Sequence, residues 1–164
     1  MEITRTEEKG IRLTRIDPVC AELLRRVPAS ADPSGSDAAQ QRIFSAPTDD
    51  SGEEQFARDW QEFVEPELAK LFQSALQIIE GDLKKLRVDA ISGEGTMSVA
   101  NDHLESWVHG LNQARLVLTE RHKLQEQDLE RSPPLAADPR TFLFAQMRFY
   151  ADLQGVFLHV LEGP

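Results

Sequence analysis

The stretch HLESWVHGLNQARLVLTERHKL, residues 103–124, decides the fold class of this 164-residue chain. Its apolar residues recur at helical spacing and lie within roughly 50° of one direction on a helical wheel. The residues of this stripe are Leu104, Trp107, Val108, Leu111 and Leu118. Because a helix with such a stripe buries it against other elements, the stretch predicts one member of a helical bundle.

An arginine, Arg115, lies inside this stripe, about 20° from its centre on the helical wheel. A guanidinium stays protonated and is costly to bury without a partner, so a carboxylate from another helix should meet it. The candidate carboxylates are Glu62, Glu67, Asp82 and Asp152.

Two interpretations of this arginine stay open. In the first, Arg115 forms a buried ion pair that fixes how the helices pack against each other. In the second, Arg115, Asn112 and either His103 or His109 line a polar pocket beside Trp107, and this pocket binds a small anion or a metal ion. The first interpretation is favoured because no other catalytic group converges on this helix.

Further segments have helical periodicity. Residues 53–86 carry two apolar faces, and Pro66 between them predicts a kink or a break, with the proline opening the second half. The last helix should run from about residue 139 to 161, and a shorter helix should follow Asp17, a good N-cap. Several amphipathic helices with loops between them favour a bundle.

Residues 1–16 predict a β-hairpin around the sequence EEKG, and a lone hairpin is marginal in water, so it should pack on a helix. Residues from about 28 to 52 are rich in Ser, Ala, Pro, Asp and Gly and predict a mobile connector. The alternative within it is a short helical turn at QQRIF, residues 40–44, that docks through Ile43 and Phe44. The segment DAISGEGTM, residues 89–97, predicts a loop. We therefore expect a single, mainly α domain over residues 1–164, a helical bundle with a short N-terminal β-hairpin packed on it.

The composition limits the class of protein. With 28 acidic and 18 basic residues, the net charge of −10 disfavours nucleic acid and anionic lipid as partners. No apolar stretch reaches the length of about 18 residues that a membrane-spanning helix needs. A single cysteine, Cys20, suggests a reducing compartment and is interpreted as a packing residue, and the N-terminal sequence lacks the apolar run of a signal peptide. These features predict a cytoplasmic protein.

Motifs for catalysis and cofactor binding are missing from the sequence. The four histidines include no pair at i, i+4 spacing, and there is no HExxH, GxSxG, P-loop, GxGxxG or CxxC motif. We therefore expect no catalytic residue, no metal and no cofactor. Apolar side chains off the main face of the last helix, at Leu143, Phe144 and Met147, indicate a contact surface for an unknown protein partner or for a second copy of the chain.

Two segments resemble a known family. The helix with Trp107, Asn112 and Arg115 is similar to the signature helix of a small bacterial family that carries only a domain-of-unknown-function label and is common in actinobacteria. The segment FARDWQEFVEPELAKLFQSAL, residues 56–76, resembles the second recognisable block of that family. The resemblance implies no reaction. In some genomes the genes of this family lie near that of the Clp-protease adaptor, which implies a loose link to regulated proteolysis.

The sequence therefore predicts a cytoplasmic, non-catalytic protein-interaction or regulatory module. The alternative is a protein that binds a small anion or a metal ion in a pocket around Arg115 and Asn112.

Overall fold

A computed structural model of the chain describes residues 1–7, 10–48, 50–125 and 139–163. The strands are β1 (Glu2–Arg5), β2 (Ile11–Ile16), β3 (Arg87–Val88) and β4 (Gly95–Val99). The α-helices are α1 (Pro18–Arg25), α2 (Val27–Ala31), α3 (Asp37–Phe44), α4 (Glu54–Asp59), α5 (Glu65–Leu83), α6 (Leu104–His122) and α7 (Pro139–Glu162). The predicted mainly α fold with an N-terminal β-hairpin is confirmed.

The hairpin is part of a larger sheet. β1 pairs with β2 as predicted, but β4 pairs with the other edge of β2, and β3 pairs with β4, which gives the antiparallel order β1-β2-β4-β3. The loop predicted over residues 89–97 is therefore wrong at its C-terminal end. In β4, the buried residues Gly95, Met97 and Val99 alternate with exposed Thr96 and Ser98, as expected of a strand with one face on the core.

The helix α6 lies at the centre of the molecule, with α2, α5 and α7 packed against it. All five apolar residues of the predicted stripe are buried. The buried surface is wider than the stripe, because the helix also buries Gly110, Gln113, Ala114 and Val117. A helix that is covered on several sides needs small or hydrogen-bonded residues where neighbours approach, and a hydrophobic stripe alone does not show this.

The boundary predicted at Pro66 exists. A π-helical turn, Trp60–Val64, separates α4 from α5, and Pro66 lies in the first turn of α5. The backbone stays helical through this turn, and the N–H of Glu65 donates to the carbonyl oxygen of Trp60. A proline cannot donate a backbone hydrogen bond, and the π-helical turn accommodates the missing donor. The indole N–H of Trp60 donates to the carbonyl oxygen of Phe44 at 2.8 Å, which ties this turn to the end of α3.

The predicted connector over residues 28–52 contains regular structure. It includes most of α2 and all of α3, and Val27 and Ala31 of α2 are fully buried. Ser36 caps α3 by accepting a hydrogen bond from the backbone N–H of Ala39. These helices have one and two turns, too few for a hydrophobic period to stand out from a Ser-, Ala- and Pro-rich composition.

Within the described ranges, no helix has the length and apolar character that crossing a bilayer would require.

Candidate functional site

Three of the predicted site residues, Asp82, His103 and Trp107, are in contact near the end of α5. The Oδ2 atom of Asp82 accepts hydrogen bonds from Nε1 of Trp107 at 3.1 Å and from Nδ1 of His103 at 2.9 Å. The Nζ atom of Lys85 donates to Oδ1 at 3.0 Å. The Asp82 side chain is only 1% exposed, so this carboxylate is buried and both of its oxygens are partnered. The contacts join α5 to the start of α6.

The contact with Asp82 determines that Nδ1 of the His103 ring carries a proton. A carboxylate can only accept, so Nδ1 must carry a proton that points to Asp82. An imidazole oriented in this way is also suited to act as a general base through Nε2. However, the groove beside this cluster is lined by Lys85, Asn101 and Asp102 and not by His103. The arrangement therefore has the features of a structural anchor between two helices.

Arg115 lies away from this cluster. It is half-buried and donates from Nη1 to Oε1 of Gln154 on α7 at 2.8 Å. Its Nε atom is enclosed and has no hydrogen-bond partner in the described part of the chain. Asn112, one turn before Arg115 on α6, is exposed. The predicted polar cluster is therefore divided: Trp107 and His103 bond to Asp82 on α5, and Arg115 bonds to Gln154 on α7.

None of the four candidate carboxylates forms an ion pair with Arg115 within the described ranges. Glu67 and Asp152 instead pair with basic side chains one turn away on their own helices. Glu62 is exposed in the π-helical turn. The prediction of a carboxylate partner is corrected to an amide oxygen, because partial exposure leaves the guanidinium some contact with water and lowers its need for a second charge.

The structure places the residues of the contact surface predicted on α7 mostly inside the chain. Leu143 and Met147 are buried in the core, and Phe144 is half-buried. The buried apolar residues of α7 are Leu143, Met147, Tyr150, Leu153 and Phe157. Tyr150, Leu153 and Phe157 follow the helical period of the sequence. Leu143 and Met147 extend this face past a buried polar residue, Gln146, which interrupts the hydrophobic pattern.

A buried hydrogen-bond network surrounds Tyr150, and the sequence did not indicate it. The Tyr150 hydroxyl donates to the carbonyl oxygen of Leu23 at 2.9 Å and accepts from Nε2 of Gln146 at 2.9 Å. The same Nε2 donates to Oγ of Ser30 at 2.8 Å. Burial raises the pKa of Tyr150, and the hydrogen bonds with Ser30 and Gln146 oppose that rise. The i, i+4 spacing of Gln146 and Tyr150 was the available signal.

Cys20 is half-buried near the start of α1. Burial raises the pKa of its thiol to about 11, with further contributions from the hydrogen bond and the negative charge of Asp17. A thiol with this pKa is protonated at neutral pH and is a poor nucleophile.

The segment around the π-helical turn exposes large apolar side chains. Phe56, Phe63 and Leu71 are 46%, 64% and 65% exposed. We call residues 53–72 the arm; it comprises α4, the π-helical turn and the first two turns of α5. Every residue of α4 is exposed, and Trp60 is the first that is partly covered. Apolar surface of this extent on one segment is typical of a contact site.

Among the described residues, no group of three or more His, Cys, Asp and Glu side chains is arranged to hold a metal ion.

Comparison with known proteins gives one match. The model of a family described as a domain of unknown function, DUF2017, matches residues 2–161, which is nearly the whole chain. No curated protein and no solved structure matches the chain.

Proposed function

The chain belongs to the DUF2017 family, a domain of unknown function, and from this premise we propose that it is a non-catalytic protein-interaction module of the bacterial cytoplasm. Family membership brings no assigned reaction. The contacts do not bring the residues of the alternative pocket together, because Arg115 donates to Gln154 and His103 bonds to Asp82.

The observation that carries the proposal is the exposure of Phe56, Phe63 and Leu71 on the arm. Removing apolar surface from water yields about 25 cal/mol per Å², so three side chains of this size would contribute substantially to a docked complex. The hydrogen bond from Trp60 to Phe44 ties the middle of the arm to the end of α3, so that these side chains are presented by an anchored helix.

The negative charge of the arm indicates that its partner is basic. Residues 53–72 contain six acidic side chains and two basic ones, a net charge of 2 − 6 = −4. A second copy of the chain, with its net charge of −10, would bring like charges together at this surface. We therefore propose that the arm docks a basic, amphipathic helix of another protein, with apolar side chains on one face and Lys or Arg beside them.

The resemblance to a family encoded near the Clp-protease adaptor gene makes proteins of regulated proteolysis the first natural partners to test. Those that carry a basic amphipathic helix are the relevant ones.

The direct test uses a synthetic amphipathic helix made of leucine and lysine, and a matched peptide in which glutamate replaces lysine. Titration calorimetry should show that the full chain binds the lysine peptide and not the glutamate peptide. The double variant Phe56→Ser, Phe63→Ser should bind at least about tenfold more weakly, a loss of about 1.4 kcal/mol. Ile91→Ser is the matched control, because Ile91 is 97% exposed and lies outside the arm.

Equal binding by the double variant and by Ile91→Ser would show attraction by charge alone and would overturn the proposal. Sedimentation of the chain without peptide tests whether the arm instead binds a second copy of the chain. A concentration-dependent dimer that the double variant abolishes would assign the arm to a second copy of the chain.

A further inference from the structure

A cleft of about 520 Å³ lies between the arm and α3. Its volume is in the range of ligand sites, about 300–1,000 Å³. Residues of α3 and of the segment that follows it, from Asp37 to Thr48, line one side of the cleft. The other side is formed by four residues of the arm, Ala57, Trp60, Gln61 and Glu65.

The π-helical turn brings two of these arm residues to the cleft together. The backbone N–H of Glu65 donates to the carbonyl oxygen of Trp60, five residues earlier. In a regular α-helix, side chains five residues apart point about 140° away from each other. The wider π-helical turn moves such side chains toward the same side of the helix, and both residues line the cleft. The turn therefore sets an aromatic ring and a carboxylate beside each other.

The indole of Trp60 is a fixed part of the cleft wall. Its Nε1 donates to the carbonyl oxygen of Phe44 at 2.8 Å, and its ring lies 6.0 Å from that of Phe56, measured between centroids. Because its N–H is already paired, the indole can offer a ligand only its ring surface, and the face of an indole attracts cations. The contact with Phe56 also connects the cleft to the exposed apolar side chains of the arm.

The charge of the cleft is negative and uncompensated. Asp37 and Glu65 are the two charged residues among those that line it, so its net charge is −2. Neither forms an ion pair within the described ranges, whereas Glu67 of the arm pairs with Lys70. Glu65 is half-buried, and a carboxylate that has lost part of its water attracts a cation more strongly than one on the open surface. The cleft therefore favours a cation.

The lining of the cleft fits a guanidinium better than an ammonium group. A guanidinium is planar, stacks on aromatic rings, pairs with carboxylates through two parallel hydrogen bonds, and holds its water weakly. Its five N–H donors can also use amide oxygens, and Gln40, Gln41 and Gln61 line the same cleft. An ammonium group is a compact, strongly hydrated charge that gains less from an aromatic wall.

We propose that this cleft binds an arginine side chain of the helix that docks on the arm. The guanidinium lies against the indole of Trp60 and donates to the carboxylates of Asp37 and Glu65, while apolar side chains of the same helix cover Phe56. This inference rests on the proposed function of the arm, and it adds a preference for arginine over lysine, which that function does not require.

The test compares the leucine–lysine helix with a leucine–arginine helix of the same length and charge, by titration calorimetry on the full chain. The wild-type chain should bind the arginine helix at least about tenfold more tightly, a difference of about 1.4 kcal/mol. In the double variant Asp37→Asn, Glu65→Gln this ratio should fall below about threefold. The matched control is Glu53→Gln, Glu54→Gln, which removes two carboxylates of the arm that are exposed and do not line the cleft. The control should keep the tenfold ratio.

The ratio of the two affinities separates this inference from the proposed function. Equal affinities of the wild-type chain for both helices, or the same ratio in the two double variants, would overturn the arginine site and leave the docking role of the arm standing. Binding of neither helix by the wild-type chain would overturn both. Each substitution replaces a carboxylate by the amide of the same shape, so both double variants should fold, and far-UV circular dichroism checks this.

Discussion

Asp82 and Arg115 are two charged side chains that this protein brings into its core in different ways. Asp82 is almost fully buried and has an indole, an imidazole and an ammonium group as donors. Arg115 stays partly exposed and uses the amide oxygen of Gln154. The helical wheel could show that a cation and an acid enter the core. It could not show which of them meet, because the pairing depends on how far each helix is shifted along its neighbour.

The Asp82 contacts predict a large and specific stability effect. Asp82→Ala removes the acceptor for the buried indole N–H of Trp107 and for His103, and should lower the free energy of unfolding by about 3 kcal/mol. Lys85→Ala removes a partner that is 64% exposed, and should cost less than about 1 kcal/mol. Urea denaturation of both variants checks this, and similar losses in the two would contradict the anchoring role of Asp82.

Tyr150 gives a prediction with a defined pH dependence. Its pKa is raised above the ordinary 10.0, chiefly by burial, so the folded chain holds this proton at pH values where the unfolded chain releases it. The resulting stabilisation is complete below pH 10.0 and is lost as the pH rises through the folded-state pKa. Because the chain has one tyrosine, absorbance of the phenolate reports Tyr150 alone. The native chain should titrate above 10.0 and the urea-unfolded chain near it; identical midpoints would contradict the buried network.

At the scale of elements, small residues explain why the hydrophobic pattern did not predict strand β4. The alternation in Gly95–Val99 was present in the sequence, but two glycines and two serines in residues 92–98 indicated a loop instead. A Cβ atom at Gly95 would lie 3.2 Å from Cβ of Ile16, so the close pairing of β4 with β2 favours glycine there. The alternation of residues therefore indicated a strand, whereas the glycine and serine content indicated a loop.

The close packing of α5 on α6 predicts opposite effects for two glycine substitutions. Gly110→Ala would place its Cβ against Cδ1 of buried Ile79, and overpacking should lower stability by about 1 kcal/mol or more, although alanine favours a helix. Gly81→Ala meets no atom within 4 Å and should raise stability by about 0.5–1 kcal/mol. Thermal unfolding of the pair checks this, and equal shifts of the same sign would argue against the close contact.

At the scale of the whole molecule, the bundle, the hairpin and the boundary at Pro66 followed from periodicity and proline chemistry. The central position of α6 did not, because the residues that let neighbours approach it are glycine, alanine and glutamine. The sequence placed the exposed apolar surface on α7 and not on the arm for a related reason. The sequence marks apolar residues on both the arm and α7, but only the packed structure shows that Leu143 and Met147 of α7 are buried and that Phe56, Phe63 and Leu71 of the arm are exposed.

The most direct test of the docking role of the arm is hydrogen exchange of the full chain with and without the leucine–lysine helix. The account predicts slower exchange of backbone amides within residues 53–72 and little change in the sheet or in α7. Protection confined to other segments, with no change in the arm, would contradict it.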